Sequence, residues 1–193
     1  MKIIENLKNY TEKTAKVLSL GMFDGVHLGH VSIINQLKEI AQKYDLETAI
    51  LTFWPHPRKV FNPNDELHLL NTLDEKIALL EKAGIEVVFL QEFDENFRNL
   101  TGEEFIEQIL VEKLNVKHVI IGYDHVFGKN KSGNFDLLQQ LSEKLGYDVA
   151  QLKAVKEGDF NISSTKIRNC LGNGNIIGAN KMLGYHYSVS GKV

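Results

Sequence analysis

This chain of 193 residues predicts a doubly wound α/β fold on a parallel sheet, and three observations point to it. Short, near-continuous apolar runs alternate with amphipathic helical stretches, as strands buried on both faces require. The helical stretches carry capping signals at their starts and glycines at their ends. The loops rich in glycine and histidine each follow a strand, on the side where open α/β sheets bind ligands. A composition of 43% hydrophobic and 24% charged residues fits one globular domain with a sizeable core and room for a small appendage.

Residues 17–20 make the first buried strand, which Gly21, Asp24 and Gly25 then interrupt. From Leu28 the apolar residues recur at helical spacing through Val31, Ile34, Leu37, Ala41 and Tyr44. Residues 48–54 are a second β-branched and aromatic run, ended by Pro55-His56-Pro57. Thr72-Leu-Asp-Glu75 has the capping-box pattern, with Leu73, Ile77 and Leu80 on one face and Gly84 as the stop. A strand follows at 87–90. A second capping box, Thr101-Gly-Glu-Glu104, opens a helix with Phe105, Ile109 and Leu110 inward and its end near Asn115. Residues 119–121 are the next strand. Asn134 caps a helix carrying Leu138, Leu141 and Leu145, closed by Gly146, and 148–152 supply a fifth strand. This βα succession predicts a Rossmann-like sheet. Beyond it come a helix start at 162–168 and a short helix over 175–183. In 185–193, Tyr185, Tyr187 and Val189 alternate with polar residues, as in a half-buried strand. No partner strand follows, so the tail reads as the threshold of a second, β-rich domain.

The chemistry gathers at Gly21-Met-Phe-Asp-Gly-Val-His-Leu-Gly-His30. His27 and His30 share the first turn of the helix that follows the glycine turn, and face the same way. A helix start collects unpaired N–H groups and the positive dipole end, a natural seat for phosphate. The plainer alternative is a glycine turn with two surface histidines. The stretch is not a P-loop, since no Gly-Lys-Ser/Thr follows, and it lacks the spaced glycines of a dinucleotide fingerprint. His27, His30 and Asp24 are too few for zinc, and spacing offers no fourth ligand. At Ile162-Ser-Ser-Thr-Lys-Ile-Arg168 three hydroxyls mark a second helix start, which alone reads as an ordinary cap and beside the first motif as a second phosphate cradle. Pro55-His56-Pro57 is either a stiff strand exit or part of the site. Asp124 and Phe127 are ambiguous by themselves, Phe127 reading equally as core.

A net charge of −3 gives no general basic field for nucleic acid and favours a small-molecule partner. Cys170 is the only cysteine, so an intrachain disulfide and a cysteine-rich zinc site are both ruled out, which suits a reducing cytoplasm. The N-terminus lacks a signal-peptide core, and no stretch approaches the roughly 18 apolar residues of a membrane span. The expectation is a soluble, cytoplasmic protein.

These motifs, with Leu51-Thr-Phe-Trp-Pro-His-Pro57 and Ile121-Gly-Tyr-Asp-His-Val-Phe-Gly128, stand in the order of the prokaryotic bifunctional riboflavin kinase/FMN adenylyltransferases, which the chain resembles over essentially its whole length. His-Leu-Gly-His with Ser-Ser-Thr-x-x-Arg alone marks only the wider nucleotidyltransferase superfamily, whose sheet is of this Rossmann-like type. The longer string with Pro-His-Pro resembles the adenylyltransferase, or FAD synthetase, module. The resemblance implies transfer of AMP from ATP to FMN, giving FAD and pyrophosphate. It implies catalytic roles for His27, His30 and Arg168. ATP contacts would come from Gly21, Phe23, Asp24, Gly25, Gly29, Ser163, Ser164 and Thr165. FMN contacts would come from Pro55, His56, Pro57, Phe61, Asp124 and Phe127. Mg²⁺ would accompany ATP on its phosphates, mostly water-ligated, without a protein cage. The adenylyltransferase domain would span residues 1–184. Residues 185–193 are similar to the linker and first strand of the family's riboflavin kinase domain, so kinase activity is not expected of this polypeptide. The chain departs from the family pattern at Met22, often asparagine there, and at His125-Val126, often an aromatic and a basic residue. A related nucleotidyltransferase with another acceptor, a non-catalytic flavin or nucleotide sensor, and a regulatory RNA-binding module remain alternatives.

Overall fold

The computed structural model describes residues 1–62, 64, 66–153, 155–157 and 160–191. Six strands form one all-parallel sheet: β1 (Lys2–Glu5), β2 (Lys16–Leu20), β3 (Glu47–Phe53), β4 (Val87–Gln91), β5 (Val116–Gly122) and β6 (Asp148–Leu152). Their order across the sheet is β1-β4-β3-β2-β5-β6. The expected doubly wound parallel sheet is therefore present, with one strand more than the five expected. The addition, β1, is a four-residue edge strand with mostly exposed side chains, too short for a periodic signal.

Alternation along each strand splits the core in two. Leu18, Leu51, Phe89 and Ile121 face one layer, and Val17, Ile50, Val88 and Ile120 the other. The second layer is closed by α1 (Leu28–Tyr44), through Ile34 and Leu37, and by α3 (Leu73–Lys82), through Leu80. The first is closed by α6 (Phe135–Leu145), through Leu138 and Leu141, and by the segment after Thr101. From β2 the chain winds outward to β3 and β4 under one set of helices, then returns to β5 beside β2 and winds the other way. Right-handed crossovers in opposite directions put helices on opposite faces. The reversal lies between β2 and β5.

The segment after Thr101 differs from the expected α-helix. The predicted capping box forms, and α5 (Gly102–Glu104) runs straight into a π-helix over Phe105–Lys113. Its last turn closes with a five-residue hydrogen bond, Leu114 N–H to the Ile109 carbonyl at 3.0 Å. The wider winding turns Ile106 fully inward with Phe105 and Leu110, while the expected Ile109 is only partly buried. The short helices α2 (Pro57–Phe61) and α4 (Glu95–Asn99) follow β3 and β4. After β6, a two-residue antiparallel pair, β7 (Lys156–Glu157) and β8 (Phe160–Asn161), leads into α7 (Ser164–Gly172) and α8 (Ile176–Leu183). Ile167, Ala179, Met182 and Leu183 form a third apolar cluster with Leu70.

Residues 185–191 form no strand, contrary to the alternation read there. A strand needs a ladder, and this segment instead lies along α8. The Tyr187 N–H donates to Asn180 Oδ1 at 2.8 Å, and the Tyr185 hydroxyl to the Gly25 carbonyl at 2.8 Å.

Candidate active site

A cavity of about 500 Å³ opens at the sheet reversal, over the carboxyl ends of β2 and β5. Three segments named from sequence converge on it: the turn after β2 with the start of α1, the start of α7, and residues 122–125 after β5. His56 and Arg58 reach it from the loop after β3.

His27 is the N-cap of α1, its Nδ1 accepting the His30 N–H at 3.4 Å. That bond leaves the His27 proton on Nε2. The two imidazoles stack, centroids 3.7 Å apart and 14° from parallel, and the His30 ring lies 4.9 Å from Phe23. A Cβ at Gly29 would stand 3.0 Å from His27 Cε1, so glycine there lets the rings stack beside an open helix end. Leu28 and Gly29 N–H groups stay outside the intrahelical ladder. Burial lowers His27 to about 4, and burial, then the His27 and Lys76 charges, holds His30 well below 6.5. Both imidazoles are therefore neutral near pH 7.

α7 mirrors this start. The Ser163 hydroxyl accepts the Lys166 N–H, and Thr165 Oγ1 accepts from Arg168 Nη2, both at 3.4 Å, so each hydroxyl keeps its own proton to donate. Two bonds lock the starts of α1 and α7 together: Ser164 Oγ donates to the Asp24 carbonyl at 2.8 Å, and Arg168 Nη1 to Asp24 Oδ2 at 2.6 Å. Asp24 Oδ1 takes the Leu70 N–H at 2.9 Å. Burial raises the Asp24 carboxyl above the usual carboxylate range, against the Leu70 N–H and the Arg168 guanidinium, which favour its ionised form.

Gly21, Phe23, Asp24, His27, Gly29, His30, Ser163, Ser164, Thr165 and Arg168 thus line one cavity, as do His56 and Asp124. Gly25 stands behind the wall, where a Cβ would meet Leu70 Cδ1 at 2.6 Å. Pro55 and Pro57 flank His56 without lining the cavity, Pro57 opening α2 with His56 as its cap. Phe127 turns away from the cavity: it bridges to Gly133 and packs 5.1 Å from Phe105, its alternative reading as core. The Phe61 side chain lies outside the described residues. Several residues of the site were not read from sequence, Arg58 and Lys153 on the cavity wall among them. His125 lines the cavity, its Nε2 buried with no partner among the described residues, and burial lowers it to about 4. Lys76 is buried directly behind the turn; the available signal was a lysine among Leu73, Ile77 and Leu80 on the inward stripe of α3.

A neutral buried histidine links the site to stability. An unfolded chain protonates His27 near 6.5 and the folded chain only near 4, so its contribution is complete above 6.5 and is lost as pH falls toward 4. Urea unfolding at pH 7 and pH 5 is expected to show His27→Asn, which keeps a capping side chain, losing about 2 kcal/mol less than the wild type across that interval. Equal losses would mean that His27 titrates normally in the folded state.

Among the described residues no group of three or more His, Cys, Asp or Glu could hold a metal ion, and no helix is long and apolar enough to cross a membrane. In solved structures, the fold is similar to a Streptococcus pneumoniae protein described as a macrolide-efflux protein, at TM-score 0.83 and 28% identity over 96% of this chain and 60% of that one. It is also similar, in fold alone, to a Francisella tularensis pantoate-beta-alanine ligase, at TM-score 0.55 and 14% identity over 94% of this chain and 86% of that one. In sequence, the chain is 36% identical to the bifunctional riboflavin kinase/FMN adenylyltransferase of Buchnera aphidicola (Schizaphis graminum), over 98% of this chain and 61% of the relative. Its Escherichia coli K12 counterpart is 34% identical, over 100% and 62%, and that of Bacillus subtilis 38%, over 94% and 57%. The chain therefore spans about three-fifths of the length of these relatives. The family model for FAD synthetase matches residues 9–166, which takes in both helix starts and ends two residues before Arg168. The chain belongs to the FAD synthetase family.

Proposed function

We propose that the chain is an FMN adenylyltransferase, joining AMP from ATP to FMN and releasing pyrophosphate. The observation that carries this reading is the convergence of two helix N-termini on one cavity, joined through Asp24 and Arg168. One phosphate oxygen of FMN attacks the α-phosphorus of ATP in line, the bond from that phosphorus to the bridging oxygen breaks, and pyrophosphate departs. Such a transfer needs two anions held together and charge stabilised on the equatorial and leaving oxygens.

In this reading His27 and His30 donate to the phosphates at the α1 start. Ser163, Thr165 and Arg168 hold the leaving β- and γ-phosphates. His56 and Asp124 lie on the acceptor side. A neutral imidazole is a suitable donor here, because an arriving polyphosphate raises its proton affinity as charge develops. Mg²⁺ would neutralise phosphate charge while keeping several waters, which needs only one or two carboxylates from the protein. Of the two carboxylates lining the cavity, Asp24 is committed to Arg168 and Asp124 lies on the acceptor side, so the ion would be held mainly by the phosphates and water. Residues 185–193 are proposed to belong to a linker and first strand of a kinase domain, a reading supported by the greater length of the relatives. Incubation with FMN, ATP and Mg²⁺ is expected to yield FAD and pyrophosphate in equal amounts. Pyrophosphate release with another phosphate-bearing acceptor, and none with FMN, would overturn the choice of acceptor.

A further inference from the structure

Lys76 is only 4% exposed. Its ammonium donates to Thr52 Oγ1 at 3.3 Å and to the Met22 carbonyl at 3.4 Å, and lies 5.5 Å over the Trp54 ring. Thr52 Oγ1 donates to the same carbonyl at 3.2 Å. One carbonyl of the turn after β2 is thus gripped from β3 and from α3. The turn needs a grip. Phe23 at φ 50° and Val26 at φ 34° are left-handed without being glycine, and Gly25 stands between them at φ 83°. Bulky residues in that region are strained and persist only where their surroundings over-determine them.

Packing does not call for a lysine here. A buried ammonium is costly to desolvate, and Leu or Met would fill an inward position of α3 more cheaply. A small cavity of about 10 Å³ joins Lys76 to Met22, Asp24, Trp54, His56 and Asn71, between the turn and the loop after β3. The charge therefore sits against the back of the phosphate seat.

We propose that Lys76 is a positioning residue for adenylyl transfer: through the Met22 carbonyl and Thr52 it fixes the strained turn that presents His27 and His30, and it sets a fixed positive charge behind them. The inference rests on the adenylyltransferase reading. The titratable groups around Lys76 are Asp24 on the turn, His30 on α1 and His56 after β3. Burial brings the ammonium down to about 8 against the pull of Asp24, and its charge helps hold His30 neutral.

The test compares the whole chain as wild type, Lys76→Met and Lys76→Arg. Lys76→Met is expected to unfold at or above the wild-type midpoint, because the desolvated charge is gone, yet to lower kcat about 10- to 100-fold, the scale of a small misplacement of reacting groups. KM for ATP should stay within about threefold. The alkaline limb of kcat/KM near pH 8 should vanish in Lys76→Met and move out of range in Lys76→Arg, whose guanidinium stays charged. The His30 imidazole, followed by NMR, should titrate higher in Lys76→Met and not in Lys76→Arg. Lower stability of Lys76→Met with unchanged pH profile and His30 titration would make Lys76 merely structural and overturn the inference. Absence of FAD formation by the wild type would overturn the functional reading instead, and the His30 titration would still decide whether Lys76 acts on the turn.

Discussion

His30→Ala is expected to lower kcat for FAD formation by about 10²–10³-fold, equivalent to about 2.7–4 kcal/mol of transition-state stabilisation, the range for one removed preorganised donor. His30 is held in place before any substrate arrives: His27 stacks on one side at 3.7 Å between centroids and Phe23 lies 4.9 Å away. Its Nδ1 is buried with no hydrogen-bond partner among the described residues, so the ring is committed to no other hydrogen bond at that atom. A donor fixed in this way needs no reorganisation when charge develops. KM for ATP should change less than kcat, because ground-state binding is shared among both helix starts and Arg168. His30→Gln, which keeps an N–H donor, should recover part of the loss. Steady-state kinetics with FMN and ATP would decide: a His30→Ala variant with near-normal kcat would remove His30 from the transition state.

The local parts of this fold were legible because their signals are local. Capping boxes at Thr72 and Thr101, the Asn134 cap and the left-handed Gly146 cap all occur as read. Strand order was not legible, because nothing within 16–20 says that it pairs with residues 116–122 rather than with an edge. The Phe127 side chain was ambiguous for a related reason. Its direction is set by a bridge to Gly133, where a Cβ would lie 2.3 Å from the ring, and no periodicity reports such a contact. Both helix starts were legible as candidate phosphate seats, the second only beside the first. Their union through Asp24 and Arg168, 144 positions apart, is a tertiary fact. The neutrality of the histidines is a consequence of burial, which spacing does not measure. Lys76 sat in view on an apolar stripe, a local contradiction of the kind expected where function overrides packing.

Arg168→Ala is expected to cost both stability and rate, and the two losses can be separated. The guanidinium meets Asp24 at 2.6 Å, with side chains 20% and 8% exposed. Removing one partner of such a pair strands a desolvated carboxylate, so the loss should be about 3 kcal/mol, at the low end of the range for buried pairs because Arg168 is partly open to solvent. Without the guanidinium the Asp24 carboxyl rises further, and its ionised form penalises the fold increasingly as pH rises past the unfolded carboxylate value. The stability deficit should therefore shrink toward acid pH. Asp24→Asn combined with Arg168→Ala removes the stranded charge and should recover much of the stability. It should not recover kcat, because the donors to the departing pyrophosphate are still missing. Lys at 168 keeps a charge but cannot reach Asp24 and Thr165 together as the planar fork does, so it should restore stability better than rate. Denaturant unfolding and kcat for the four proteins make the comparison. If kcat returned together with stability in the double variant, Arg168 would be a strut between the two helix starts and not a ligand of the leaving group.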